Sequence, residues 1–168
     1  TDGSANLETS HSSDNFIFDS TLPASVVTIS RDYYNNVNWS DVSSISGTTS
    51  DSTSGMSTVE ITLQRATDFF YWSGTFWGPT QTWLSPNGLA SWSYSIITFY
   101  LTDGTTYIVK SRGTDIAGNV QTSLGSDSFT YDLTAPVVGT VADGLTSTEQ
   151  EWSSNMTTMS ANWTGFSD

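Results

Sequence analysis

The sequence predicts an all-β protein, an antiparallel β-sandwich repeated in tandem. Apolar and polar residues alternate with a period of two in several short runs, turn-forming residues separate those runs, and a block of 23 residues near the start recurs near the end. A side-chain period of two belongs to a strand with one face in a core, and no stretch sustains the 3.6-residue period of a helix.

From the N-terminus, strands are expected over residues 26–30, 42–48, 59–64, 69–72, 81–84, 91–100, 107–112 and 128–131. The alternation is plainest where Val59, Ile61 and Leu63 interleave with Glu60, Thr62 and Gln64, and where Tyr107, Val109 and Ser111 interleave with Ile108, Lys110 and Arg112. Phe129 and Tyr131 alternate in the same way with Ser128 and Thr130. Ser73-Gly74, Gly78-Pro79, Pro86-Asn87-Gly88, Asp103-Gly104 and Gly118-Asn119 mark the turns between them. Seven or eight short strands of this kind close into two packed antiparallel sheets.

The recurrence sets the domain plan. Residues 1–23 (TDGSANLETSHSSDNFIFDSTLP) align without a gap on residues 114–136 (TDIAGNVQTSLGSDSFTYDLTAP), an offset of 113 at which 11 of the 23 positions are identical. Among the matches are Asp2/Asp115, Asn6/Asn119, Asp14/Asp127, Phe16/Phe129, Asp19/Asp132, Thr21/Thr134 and Pro23/Pro136, and Trp39 falls on Trp152. A period near 113 is too long for a solenoid and suits one small domain. Residues 1–23 are therefore expected to be the last strands of a preceding repeat plus a joint, 24–135 one complete sandwich, and 136–168 the first strands of a following repeat. Pro136 removes an amide at the exit, so the ladder cannot run on through the joint. Any secretion signal or anchor is expected to lie outside this stretch, since no run approaches the roughly 18 apolar residues of a membrane span.

Seventeen acidic residues stand against four basic ones, Arg31, Arg65, Lys110 and Arg112, for a net charge of -13. Phosphate recognition needs a basic footprint, so nucleic-acid and anionic-membrane partners are disfavoured, and without an apolar span no insertion of this segment into a membrane is expected. Cysteine is absent, which removes disulfides and thiol catalysis. Abundant Ser and Thr with many Trp, Tyr and Phe suit a secreted β protein.

Residues 103–136 (DGTTYIVKSRGTDIAGNVQTSLGSDSFTYDLTAP) resemble the closing part of bacterial immunoglobulin-like repeats, where a D-G-T-Y-x-V strand leads into A-x-D-x-A-G-N, a last strand and a D-x-T-x-P joint. Residues 46–61 (SGTTSDSTSGMSTVEI) are similar to the second and third strands of those repeats. The resemblance covers the central repeat except its Trp-rich middle, and residues 1–6 depart from it by carrying GSAN where the other copy has IAGN. It implies an immunoglobulin-like, fibronectin-III-like sandwich in a large extracellular surface protein or adhesin, with neighbouring repeats of the same chain as partners.

In such a sandwich the chain entry, the loop between the second and third strands and the last hairpin meet at one end. That end should gather Asp19, Asp51 and Asp115, while Asp132, Asp2 and Asp168 take the corresponding places in neighbouring repeats. Three carboxylates with nearby carbonyls suit Ca²⁺, a hard cation that takes six to eight oxygen ligands. The alternative is that each Asp caps a turn, with no cofactor at all.

Phe69, Phe70, Tyr71, Trp72, Phe76, Trp77, Trp83, Trp92 and Tyr94 crowd the middle of the repeat. Trp83 and Trp92 are expected in the core. Trp72, Phe76 and Trp77 are placed either in the core or on a contact surface. An exposed set would suit sugar rings, with Asn87, Gln81 and Asp68 as polar neighbours, so a carbohydrate-binding module recognising surface glycans over residues 69–94 is the alternative function. Asn38, Asn155 and Asn162 open N-glycosylation sequons. His11 is the single histidine and its counterpart is Leu124, so no shared triad or histidine metal site is expected. Lys110, the single lysine, should point outward, which disfavours an isopeptide bond to Asn. The expected role is therefore non-enzymatic: a stalk spacer or filament subunit, in which other copies of the chain become partners.

Overall fold

The computed structural model describes residues 3–4, 13–39, 45–143 and 161–167. In chain order the strands are β1 (Ala24–Thr28), β2 (Tyr33–Tyr34), β3 (Ile45–Ser50), β4 (Met56–Arg65), β5 (Tyr71–Trp72) and β6 (Trp77–Gly78). They continue as β7 (Asn87–Gly88), β8 (Ser91–Tyr94), β9 (Thr105–Asp115), β10 (Gly125–Tyr131), β11 (Thr140–Asp143) and β12 (Ala161–Thr164). One sheet runs β1-β3-β8-β7 and the other β2-β10-β9-β4-β5-β6. Among the described residues every strand pair is antiparallel except β10 with β2, which run parallel.

The long strands form where the alternation is strongest. Along β9, Thr105, Tyr107, Val109, Ser111, Gly113 and Asp115 are buried, while the residues between them, Lys110 included, are half-exposed. Val59, Ile61 and Leu63 of β4 meet them from the neighbouring strand, and Phe129 and Tyr131 of β10 from the other side. Aromatic rings fill the space between the sheets: Tyr107 stacks on Phe129 at 5.2 Å between centroids, and Phe129 meets Trp39 at 4.9 Å and Tyr34 at 5.6 Å. Trp92 rises from β8 over Gly47 of β3, where a Cβ would lie 2.2 Å from the indole and 2.0 Å from the Val26 carbonyl oxygen. Close approach of backbone and indole requires glycine there.

Where the expected strands fail, side chains have taken the backbone groups. The run expected over 91–100 stops at Tyr94, and Thr98–Tyr100 is a 3-10 turn. Trp39 Nε1 donates to the Ile96 carbonyl at 2.9 Å and Trp77 Nε1 to that of Tyr100 at 2.8 Å, acceptors a longer ladder would need. The strand expected over 81–84 contracts to one bridge, Leu84 with Ile61, and that over 69–72 to Tyr71–Trp72. Phe69, with φ of 62°, turns the chain just before it. The first strand begins two residues earlier than expected, and residues 42–44 lie outside the described part.

The exposed edge of β1 is closed by side chains. Gln121 Nε2 donates to the Ser25 carbonyl at 3.2 Å, and Asp127 Oδ2 accepts the Ile29 amide at 2.8 Å. Such occupation prevents pairing with a foreign strand.

Beyond Pro136, β11 and β12 pair by themselves in a two-stranded sheet. Thr140 sits opposite Thr164, Val141 opposite Trp163, and Val137 bridges Ser167. Within the sandwich Val27 sits opposite Gly47, Thr28 opposite Ser46, and Ala24 opposite Ser50. Each residue of the first strand has moved on by 113 and each partner by 117, so the pairing keeps its phase and four extra residues lie between the two strands.

Candidate metal centre

β3 rises to Ser50, the chain turns through residues 51–55, and β4 descends from Met56; β9 rises to Asp115 at the same end, and the segment before β1 enters there. Asp19, Asp51 and Asp115 each bring a carboxylate oxygen to this point, all within 4.8 Å of one another. The three residues come from three separate stretches of chain, as the loop geometry of the predicted sandwich requires.

Each carboxylate is fixed differently. Asp51 Oδ1 accepts the amides of Thr53 at 3.1 Å, Ser54 at 2.9 Å and Gly55 at 2.9 Å, and Gly55 closes this turn with φ of 83°. Its Oδ2 is buried and has no hydrogen-bond partner among the described residues. Asp115, 1% exposed, is gripped by Asn119, whose backbone amide donates to Oδ1 at 2.7 Å and whose Nδ2 donates to Oδ2 at 2.8 Å. Asp19 accepts the Thr21 amide on Oδ1 at 2.8 Å and the Ser54 amide on Oδ2 at 3.1 Å, while its carbonyl accepts Asn119 Nδ2 at 3.1 Å. Asn119 thus links the last hairpin to the incoming chain.

Three oxygens of formal negative charge this close repel one another unless a cation or protons compensate. The donor set is oxygen alone, which suits Ca²⁺ or Mg²⁺ and not the softer metals that want imidazole or thiolate.

The Asp19 carboxyl lies below its ordinary value of 3.8, chiefly through the hydrogen bond from the Ser54 side chain, with further lowering from Thr21 and the Ser54 amide and an opposing push from burial. A carboxyl held low in the folded state stabilises it above the unfolded pKa, and that contribution disappears as pH falls through the folded pKa. In chelator, Asp19→Asn is expected to leave melting at pH 7 to 5 with an unchanged pH slope, and to remove part of the fall that the parent shows below about pH 4. Parallel melting curves for the two proteins down to pH 2 would exclude that role.

Asp132 stands at the opposite end of the sandwich, where β10 finishes, so it is no ligand of this cluster. Its Oδ1 accepts the Thr134 amide at 2.9 Å, the same local turn that Asp19 makes with Thr21. Asp2 and Asp168 lie outside the described residues.

The aromatic expectations need correction. Trp72, 2% exposed, is core and not contact surface: it packs on Trp77 at 5.4 Å and Tyr100 at 4.6 Å, and its Nε1 donates to the Tyr94 hydroxyl at 3.0 Å. Trp77 is half-buried, with its ring against Tyr107 at 5.4 Å and the Arg65 guanidinium 5.0 Å above it. Phe76 alone of the three is exposed, at 64%. The β5–β6 hairpin is so short that Trp72 and Trp77 are direct cross-strand partners and share the inner side. Trp83, expected in the core, is half-buried under Arg112, whose guanidinium lies 4.0 Å from the ring and is paired with Glu60 at 2.8 Å. Trp92 is buried as expected. Of the suggested polar neighbours, Asp68 is engaged by Arg65, and Asn87 and Gln81 are exposed.

Asn38 lies in a turn, its Oδ1 accepting the Asn35 amide at 2.7 Å, with the next residue of the sequon, Trp39, in the core. Asn162 is on β12, and Asn155 and His11 lie outside the described residues. Ser54 and Asn119, the donors that assemble the cluster, are not among the residues expected there, and the one signal for them in the sequence is the recurrence of Asn119 as Asn6.

Comparison of the chain with protein-family models, with curated proteins and with solved structures gives no match. Fold and site together define an antiparallel β-sandwich with a three-carboxylate cluster at the end where the chain enters.

Proposed function

We propose that the chain is a stretch of tandem immunoglobulin-like repeats of about 113 residues from a long extracellular surface protein, a non-enzymatic spacer or filament subunit whose joints bind Ca²⁺. The observation that carries this is the origin of the cluster: Asp51 and Asp115 belong to the sandwich, while Asp19 belongs to the segment leading into it. A cation there ties the incoming chain to the domain and stiffens the joint.

Three further features support the reading. The sheet orders correspond to strands A-B-E-D and G-F-C-C′ of immunoglobulin sandwiches. The turn at Asp19 and Thr21 recurs at Asp132 and Thr134, and the β1–β3 phase recurs in β11–β12. These recurrences support reading residues 1–23 as the end of one repeat, 24–135 as a whole one and 136–168 as the start of the next. The acidity keeps such chains soluble and mutually repelling until cations screen them. The glycan alternative loses Trp72 and Trp77 to packing and is not favoured.

Electron microscopy of the native gene product tests the proposal. Extended beaded particles, single or wound into filaments, are the expected result. A compact particle without a periodic substructure would rule it out.

A further inference from the structure

Resting on the repeat reading above, we infer that consecutive repeats abut directly, the apolar exit end of one sandwich packing on the entry end of the next. The strand directions place loops 66–70 and 95–104 and the end of β10 together at the exit end, opposite the carboxylate cluster. That end exposes Phe69, Ile97 at 63%, Phe99 at 84% and Leu133. The entry end exposes Ile116, at the tip of the last hairpin beside Gly55, together with Val120. Large apolar groups held in water at both ends of one domain mark contact surfaces.

The joint decides what covers them. β10 ends at Tyr131 and the next strand pairing is already made at Val137, six Cα steps on, so the two can be at most about 20 Å apart. Much of that reach is spent. The Asp132 amide donates to the Tyr34 carbonyl at 2.8 Å, the Leu133 amide to Asp103 Oδ1 at 2.6 Å, and the Thr134 hydroxyl to Asp103 Oδ2 at 3.4 Å. The joint therefore lies along the exit end as far as Thr134, leaving Ala135 and Pro136. At the entry end the equivalent residues are held from the other side: Asp19 by Ser54 and Asn119, and Thr21 by Thr53, hydroxyl to hydroxyl at 3.2 Å. One Asp-x-Thr therefore touches both domains: at Asp132 the backbone amide is held by the repeat behind, and at Asp19 the carboxylate and the carbonyl are held by the repeat ahead. A joint fastened to both neighbours leaves no room for solvent between them, so Phe99 and Ile97 meet the Ile116 hairpin of the following repeat.

The test uses the full chain with residues 24–136 inserted a second time after Pro136, so that two complete sandwiches share a native joint. A spin label is placed on each copy at Ser126, an exposed residue on a rigid strand, and distances are measured in excess chelator so that no ion fixes the angle. A narrow distance distribution is expected for the parent. Ile97→Ser with Phe99→Ser in the first copy should at least double its width, and Ile116→Ser in the second copy should do the same. These side chains are exposed within a single sandwich, so each variant copy should still fold, with unchanged circular dichroism. Equal widths in parent and variants would overturn the end-to-end contact while leaving the repeat reading intact. Failure of the inserted copy to fold as a second lobe would overturn both.

Discussion

Calcium at a hundred times its dissociation constant is expected to raise the melting temperature of the chelated protein by about 10 °C. Binding to the folded state alone contributes about 2.7 kcal/mol at that concentration, and about 4 °C per kcal/mol is usual near this domain size. Asp51→Asn should abolish the rise, because its Oδ2 is a buried oxygen without a hydrogen-bond partner among the described residues and so is free to take a cation. Asp132→Asn in the same chain should leave the rise intact, since that residue sits at the other end of the sandwich. A scanning calorimeter decides it. An unchanged melting point in the parent would remove the ion and leave three aspartates acting as turn caps.

Trp72→Ala is expected to cost about 3–5 kcal/mol in urea denaturation, while Phe76→Ala should stay within about 0.5 kcal/mol. The first change opens a void against Trp77 and Tyr100 and strips the Tyr94 hydroxyl of its donor; the second removes a ring that is mostly in water. A platform built for sugar stacking would give the reverse order, because its tryptophans could be cut away without loss of fold.

The strand architecture could be read wherever burial follows a strict period of two. β9 and β10 have one face against the opposite sheet, so their side chains alternate in chemistry as they do in space; β4 alternates in chemistry but not in burial, since Thr62 is buried between Ile61 and Leu63. The carboxylate cluster was legible for a related reason: loops at one end of a sandwich converge whatever their sequence separation, and Asp19 and Asp51 lie in two of them while Asp115 ends β9 where the third begins. The Trp-rich middle was opaque. Strands of two residues have no period to read, and whether Trp72 faces inward depends on the register of β5 against β4 at Gln64 and Tyr71, a tertiary fact. Trp83 shows the converse, since a large ring was expected inside and instead lies on the outer face under a guanidinium. β2 escaped notice because two tyrosines pair only once β10 is in place.

The parallel pairing of β2 with β10 has a mechanical consequence. Chain entry and exit lie at opposite ends of the sandwich, so a pull on the two termini drags β2 and β10 in opposite directions along their own axes. Under such tension the Thr130 amide bond to the Asp32 carbonyl, 2.7 Å, and the Asp132 amide bond to the Tyr34 carbonyl, 2.8 Å, are sheared together and cannot be unzipped one after the other. A tether made of such domains would resist stretching up to a threshold force, and only then would a module rupture and lengthen the whole.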